Sequence, residues 1–176
     1  MNGILDSSRE LESTAVARFQ DCDPFGHLNN ARYIDYFLNA RQDQIAEHYQ
    51  LYTYKAGMQA SWVVRKTQIA YVRPVSTMEE VLIRTRLTHF DESSLVVEGL
   101  MLDKDARHLK AVAWFDFVYI SLVSGRPANH PEELLSLFSS AAFESEYDPN
   151  GFNRRVEALR RQIRRPADDE ASPDPR

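Results

Sequence analysis

Apolar residues recur along this chain with two periods. From about Asn30 to Tyr49, Ile34, Phe37, Leu38, Ile45 and Tyr49 follow spacings of three, four or seven, the signature of a helix with one buried stripe. Downstream the pattern becomes strand-like, roughly over Trp62–Tyr71, Glu80–Phe90, Ser94–Asp103 and His108–Val123. Turn residues separate these runs: Arg73-Pro74-Val75-Ser76, Asp91-Glu92-Ser93 and Asp103-Lys104-Asp105. A shorter extended run, Ser13–Gln20, precedes the helix, with Val16 and Phe19 as its large apolar residues. Val81–Leu87 ends in polar–apolar alternation, which predicts one wet face. After the turn Ser124-Gly125-Arg126-Pro127, Pro131-Glu132-Glu133 opens a short helix to about Phe138, with acids at its positive end. Phe152, Val156, Leu159 and Ile163 then trace a second amphipathic helix, whose other faces carry Arg154, Arg155, Arg160, Arg161, Arg164 and Arg165.

The order strand, long helix, four strands, short helix predicts an α+β domain, with one long central helix packed against a five-stranded antiparallel sheet and extra helices at the C-terminal end. The divisions expected are a flexible lead over 1–12, the main domain over 13–138, an extension with the arginine-rich helix over 139–165, and a Pro- and Asp-rich disordered tail over 166–176. An open sheet of this kind has edges, and pairing with a second copy would protect one of them.

Composition narrows the classes. A chain of 176 residues, 43% hydrophobic and 27% charged, is of ordinary globular make-up. Its net charge of −5 argues against a nucleic-acid partner. Cys22 is the single cysteine, which excludes an intrachain disulfide and predicts a reducing compartment. Met1–Thr14 lacks the apolar core of a signal peptide, and the most apolar run, Ala111–Val123, is too short for a transmembrane segment. These features predict a cytoplasmic protein. His89, His108 and His130 are scattered without ligand spacing, so no metal and no cofactor are expected.

Candidate chemistry concentrates in Asp21-Cys22-Asp23-Pro24-Phe25-Gly26-His27-Leu28-Asn29-Asn30, between the first strand-like run and the long helix. Asp23 lies a few residues ahead of a helix N-terminus, where backbone N–H groups lack partners and can stabilise an oxyanion. A carboxylate beside such donors can deprotonate water or attack a carbonyl. That pair suffices for an activated acyl bond such as a thioester. The chain has neither a Gly-x-Ser-x-Gly elbow nor an HExxH pair for harder substrates. The same residues also make an ordinary helix cap, at Asn29 or Asn30, and an ordinary Pro-x-Gly turn. Asp21 fits an Asx-turn, and Cys22, between two acids, reads as a small packed residue. Arg73, just before Pro74, suits either a phosphate or plain solvent. Trp62 and the tyrosine-rich segment 49–58 suit either an acyl pocket or ordinary core. Asp116 stands oddly among aromatics in a strand centre, facing either an interface or water.

The run Arg18-Phe19-Gln20-Asp21-Cys22-Asp23-Pro24-Phe25-Gly26-His27-Leu28-Asn29-Asn30-Ala31-Arg32-Tyr33 resembles the signature of hotdog-fold acyl-CoA thioesterases, in particular the 4-hydroxybenzoyl-CoA thioesterase-like branch. Tyr71-Val72-Arg73-Pro74-Val75 and the strand spacing out to Pro127 resemble it too, and the likeness covers about residues 13–138. The resemblance implies a homodimer, or a tetramer of such dimers, with active sites at the subunit interface, acting on acyl-CoA or an acylated carrier protein. It implies that Asp23 is the catalytic carboxylate, as base or nucleophile, and that the backbone N–H of Asn30 polarises the thioester carbonyl. Some members carry His where this chain has Asn30. His27 matches a Gly-His-x-Asn-Asn variant of the motif and either touches substrate or braces the loop. Tyr33, Arg73 and Trp62 are the candidate substrate contacts.

Two other readings stand beside this one. A hotdog hydratase or dehydratase uses an Asp-x-Asn-Pro-x-His motif. Here Asp23 replaces that Asn, and an additional residue separates Pro24 from His27. A non-catalytic acyl-CoA-binding module is the second, kept open by the appended arginine-rich helix.

Overall fold

The computed structural model describes residues 9–49, 59–143 and 147–163. Its elements are β1 (Leu11–Val16), α1 (Arg32–His48), β2 (Ala60–Tyr71), β3 (Glu80–Phe90), β4 (Ser94–Asp103), β5 (Leu109–Ser121), α2 (Glu132–Ala141) and α3 (Phe152–Ile163). The five strands form one antiparallel sheet in the order β1-β3-β4-β5-β2, so β1 and β2 are its edges. With α1 laid across one face, this is the α+β arrangement that the chain's pattern predicts and the hotdog fold that the resemblance implies.

Strand alternation sends successive residues to opposite faces. Val81, Ile83, Met101, Ala111, Ala113 and Phe115 face α1 and meet Phe37 and Ala40. On the other face, Val96, Leu100, Leu102, Val112 and Trp114 meet Phe152, Val156 and Leu159 of α3. The helix α2 caps one end, with Phe138 against Leu87, Leu95 and Val97.

The contact that sets the height of α1 is between Phe37 and Gly99. A methyl group at Gly99 would come within 2.6 Å of the Phe37 ring. Gly99 is flanked in register by Thr85 on β3 and Ala113 on β5, so the sheet is low here and the ring settles into it. Farther along α1, Gln44 is buried and fully bonded. Its Nε2 donates to Ser13 Oγ at 2.9 Å and to the Ile83 carbonyl at 3.1 Å, and its Oε1 accepts from Thr85 Oγ1 at 2.5 Å. These two anchors leave the helix little freedom to slide.

The neighbouring residue on β4, Glu98, faces the opposite way and is 0% exposed. It accepts from Trp114 Nε1 at 2.9 Å, from Arg155 of α3 at 2.9 and 3.0 Å, and from Arg86 of β3. Arg86 reaches on to Glu10 at 3.0 Å and lies over the Phe143 ring. Burial alone would raise the Glu98 carboxyl, but the hydrogen bonds from Arg155 and Trp114 and the Arg86 charge hold it below its ordinary 4.5.

Several sequence expectations need correction. The lead expected over 1–12 already contains the start of β1 at Leu11. The run Ser13–Gln20 does not continue as a strand; Phe19–Asp21 is a single 3-10 turn with Phe19 83% exposed, so Phe19 is not core. The wet face predicted for β3 is only partly wet: Leu82 and Arg84 are half-buried, Arg84 pairing with Glu12, while Arg86 is buried beneath Phe143 in the Glu98 cluster. Asp116 pairs with Arg65, whose Nη2 is 2.9 Å from both carboxylate oxygens, where a bulge between Val64 and Lys66 lifts Arg65 out of register. Tyr52, Tyr54, Met58, Arg164, Arg165 and the tail over 166–176 lie outside the described residues. Among the described residues, no helix is long and apolar enough to cross a membrane.

Two consecutive β4 residues give stability predictions. Gly99→Ala overpacks the Phe37 contact and lowers the unfolding free energy by about 1–3 kcal/mol, read from the urea midpoint. Glu98→Gln leaves the Arg86 and Arg155 guanidiniums without their carboxylate and costs about 3–5 kcal/mol. Because the folded Glu98 carboxyl lies below its unfolded value, its contribution is complete above about pH 4.5 and is lost as pH falls through the folded value. The difference between wild type and Glu98→Gln, followed by urea denaturation from pH 7 downward, therefore narrows only below that point.

Candidate active site

The segment between β1 and α1 folds as a small closed loop. Cys22 and Leu28 form an antiparallel bridge, the Asp23 N–H donates to the His27 carbonyl at 2.7 Å, and the Gly26 N–H donates to the Asp23 carbonyl at 3.0 Å. Gly26 takes a φ of +75°, a conformation that costs glycine little. The β2–β3 connection clamps the loop from outside. Thr77 donates to the Gly26 carbonyl through both its N–H, at 2.9 Å, and its hydroxyl, at 3.0 Å, and the Leu28 N–H donates to the Val75 carbonyl at 2.8 Å.

This scaffold gives the two acids different fates. The Asp21 carboxylate is engaged: the Tyr36 hydroxyl lies 3.0 Å from Oδ2, and Arg32 pairs with Oδ1 at 3.6 Å. Burial pushes the Tyr36 hydroxyl up, and its hydrogen bond to Asp21 adds to that. Asp23 folds over its own turn. Its Oδ1 accepts the N–H groups of Phe25 at 2.9 Å and His27 at 3.2 Å. Its Oδ2 has no hydrogen-bond partner among the described residues. A carboxylate with one oxygen held by two amides and the other open is oriented without being used up.

The helix start shows a matching asymmetry. The cap expected at Asn29 or Asn30 is displaced: α1 begins at Arg32, with Ala31 in the cap position and no side-chain cap. Asn29 acts one step earlier, its Oδ1 accepting the Ala31 N–H at 3.0 Å and its carbonyl accepting the Arg32 N–H at 2.8 Å. The Asn29 N–H donates to the Asp21 carbonyl at 2.9 Å. Between Leu28 and Arg32, the N–H of Asn30 is thus the one without an acceptor among the described residues. Its own carbonyl is held by the Tyr71 hydroxyl at 2.9 Å, which fixes the peptide on the other side.

The remaining predicted residues fall in different places. His27 ties the loop through its main chain, which bridges to Ser76 as well as to Asp23. Tyr33 is 2% exposed, with its ring edge-on to Tyr71 at 5.1 Å; burial pushes its hydroxyl up. Arg73 is exposed just beyond Tyr71. Trp62 is not near this loop, since it stands nine residues before Tyr71 on β2, about 30 Å along the strand. There its Nε1 donates to His130 Nε2 at 3.0 Å, and its ring packs on Tyr119. That bond makes Nε2 the acceptor and places the His130 proton on Nδ1, 3.1 Å from the Asp91 carbonyl. Cys22 is half-buried, with its thiol 3.2 Å from the Arg18 carbonyl. Among the described residues, no group of three His, Cys, Asp or Glu side chains could hold a metal ion.

Sequence reasoning overlooked Tyr36, Thr77 and the hydroxyl of Tyr71, which together immobilise the loop. Of these, Tyr71 alone stood in a stretch already singled out.

Residues 17–138 match the model of the thioesterase-like superfamily. No curated protein matches the chain. Among solved structures, a thioesterase from Thermus thermophilus complexed with coenzyme A and Zn is 25% identical, with a TM-score of 0.59 over 77% of this chain and 97% of that one. YbaW from Escherichia coli, described as a probable thioesterase, is 20% identical, with a TM-score of 0.64 over 76% and 99%. Slr0204, a 1,4-dihydroxy-2-naphthoyl-CoA thioesterase from Synechocystis, is 13% identical, with a TM-score of 0.67 over 75% and 95%.

The two hydrogen bonds onto Asp23 Oδ1 generate a structural prediction. Asp23→Ala leaves both amides without their acceptor and destabilises the protein by about 1 kcal/mol. Asp23→Asn retains an oxygen in place and stays within about 0.5 kcal/mol of wild type. Parallel urea titrations of the two variants measure the difference.

Proposed function

The chain belongs to the thioesterase-like superfamily, and on that footing we propose that it is an acyl-CoA thioesterase of the 4-hydroxybenzoyl-CoA thioesterase-like branch. The observation that carries this reading is the pairing, across one short loop, of an open carboxylate oxygen on Asp23 with an unclaimed N–H on Asn30. The thioester carbonyl oxygen accepts from the Asn30 N–H, which stabilises the negative charge as the tetrahedral intermediate forms. Asp23 Oδ2 either takes a proton from the attacking water or itself attacks the carbonyl carbon. In the first route the water oxygen bonds to the carbonyl carbon, the C–S bond breaks, and the proton held by Asp23 passes to the departing thiolate. In the second, Asp23 Oδ2 bonds to the carbonyl carbon, the C–S bond breaks with departure of the thiolate, and water then cleaves the resulting mixed anhydride, its proton passing to the thiolate. His27 contributes its backbone to the loop, and Tyr33 with Tyr71 forms the wall behind the helix start. Arg73 lies on the path a CoA nucleotide would take away from the loop.

Homodimerisation is part of the proposal. The edge strand β2 presents an open row of backbone groups flanked by exposed Val63, Val64 and Tyr71. Phe19 and Phe25, each 83% exposed, stand on the catalytic loop and would be covered by the same partner. A second copy brings its own residues to the Asp23 loop, which is the route by which a residue as distant as Trp62 would approach an acyl chain.

The test is thiol release from a panel of acyl-CoAs, short, long and aromatic, by wild type and Asp23→Asn. The expected result is release by wild type and a loss of about 10²–10⁴-fold in the variant. Undiminished turnover by Asp23→Asn overturns the mechanism, and absence of release from every thioester by wild type overturns the activity. A product that carries no label after a single turnover in ¹⁸O-water identifies the nucleophilic route with water attacking the Asp23 carbonyl, because its second carboxylate oxygen then comes from Asp23.

A further inference from the structure

At the same end of the sheet as the catalytic loop, but on the α3 side, lies a pocket of about 120 Å³ lined by Val72, Arg73, Arg107, His108, Leu109, Arg160 and Ile163. Three separate pieces of chain converge there. Arg73 comes from the β2–β3 connection, Arg107 and His108 from the β4–β5 hairpin, and Arg160 and Ile163 from the last turn of α3. Each piece is held by hydrogen bonds or packing that does not involve its cation. The N–H groups of Val72 and Arg73 both donate to the Lys110 carbonyl, at 2.8 and 3.0 Å. The hairpin is pinned by Asp103, whose Oδ1 accepts the N–H groups of Arg107 and His108 at 2.7 and 3.0 Å. Leu159 and Ile163 seat α3 against the sheet.

The charge balance in this pocket is one-sided. The guanidiniums of Arg73 and Arg107 pair with no carboxylate among the described residues. No acid lines the pocket, and Asp103 Oδ2 is committed to His108 Nδ1 at 2.6 Å, Glu79 to Lys110 at 2.5 Å and Glu157 to Arg160 at 3.0 Å. Such a cluster is repulsive unless an anion joins it, and planar guanidiniums match the geometry of a phosphate. Apolar walls from Val72, Leu109 and Ile163 limit access from one side, which strengthens the charge interaction. The pocket also has a defined relation to the site of chemistry. Arg73 follows Tyr71 by two residues, and the Tyr71 hydroxyl is bonded to Asn30, so Arg73 lies on the order of 15 Å from the carbonyl-polarising N–H. The pantetheine arm and pyrophosphate of CoA bridge a span of this kind.

We propose that the pocket formed by Arg73, Arg107 and Arg160 binds the 3′-phosphate monoester of CoA, and that α3 is therefore part of the substrate site. The inference rests on the acyl-CoA reading for the identity of its ligand. It adds that the pocket discriminates CoA from thioesters that lack this phosphate, including those of carrier proteins. It also assigns a task to α3, which lies beyond residues 17–138 of the superfamily match.

The experiment compares acyl-CoA with the corresponding acyl-dephospho-CoA, which differs only by the 3′-phosphate, using wild type, Arg107→Ala, Arg160→Ala and the triple variant Arg73→Ala/Arg107→Ala/Arg160→Ala. For acyl-CoA, each single variant is expected to raise KM several-fold and the triple variant at least about tenfold, with kcat unchanged. For acyl-dephospho-CoA, wild type and the variants should share one high KM. Equal effects on both substrates, or no effect on acyl-CoA, overturns the assignment. Calorimetric titration with adenosine 3′,5′-bisphosphate tests the pocket without any turnover. Binding by wild type that the triple variant loses supports the pocket even if no thioester is hydrolysed, which would reject the activity alone. Absence of binding by wild type overturns the pocket whatever the hydrolysis assay shows. Circular dichroism melts of the triple variant should match wild type, since Arg73, Arg107 and Arg160 are exposed and none anchors an element.

Discussion

The seat of Phe37 on Gly99 governs the position of everything used in the candidate site. A helix crossing a sheet can slide along it or lift from it unless a specific contact prevents both. Here a ring occupies the space a β-carbon would need, so any lift opens a cavity beneath the ring and any slide drives it into Thr85 or Ala113. Gln44 removes the remaining freedom with three hydrogen bonds that exist only in one register. The start of α1 is thereby fixed from behind, about one and a half turns from Phe37. The loop of the candidate site is the short span between that fixed start and the fixed end of β1.

Geometry at the loop then follows from where each backbone group finds a partner. Chain reversal between Asp21 and Arg32 exposes a series of N–H groups, and nearly all find acceptors: Asp23 Oδ1 takes two, Asn29 takes two, and the carbonyls of Asp21 and Val75 take one each. Among the described residues the residual group is the Asn30 N–H, and it is residual because Asn29 rather than Asn30 does the capping. An uncapped, exposed donor has a modest cost in water, where solvent satisfies it. It becomes valuable when a substrate displaces that water. The separation of roles between Asp21 and Asp23 has the same origin. Tyr36 and Arg32 reach the first acid from α1, and neither reaches the second.

How much of this was legible in the sequence depends on the range of the interaction. The loop's turn, the two acids and the long helix are written within a few residues of each other, and local chemistry is enough to read them. The strand boundaries were legible because alternation and turn residues are local too. What failed was whatever depended on a layer contributed from far along the chain. The alternation in β3 correctly marks two faces, yet the second is only partly wet, because Arg86 on it is buried in the Glu98 cluster that Arg155 of α3, some seventy residues later, completes. Phe19 carries the apolar character of a core residue but falls on a 3-10 turn that points outward. Trp62 shares a strand with Tyr71, and only the length of that strand reveals that the two stand at opposite ends. The exchange of Glu98 with Arg86, Arg155 and Trp114 was invisible for the same reason. A glutamate in an apolar run looks like an error until its three partners are placed around it.

The same distinction explains why the appended helix is counted with the site rather than apart from it. Its apolar stripe and Arg155 are sufficient to dock it: Phe152, Val156 and Leu159 bury against the sheet, and Arg155 closes the Glu98 cluster. Docking in that orientation leaves Arg160 no freedom to be elsewhere than beside Arg73 and Arg107. A buried ion cluster is weak evidence for net stability, because desolvation offsets much of its attraction. Its sharper effect is on register. A helix held by apolar packing alone could rotate or shift by a turn, but one whose arginine must meet a carboxylate with both oxygens engaged cannot do so without leaving a buried charge unpaired. Glu98 thus does for α3 what Gly99 does for α1. Two consecutive residues on the central strand, pointing to opposite faces, set the positions of both helices that contribute to the candidate site.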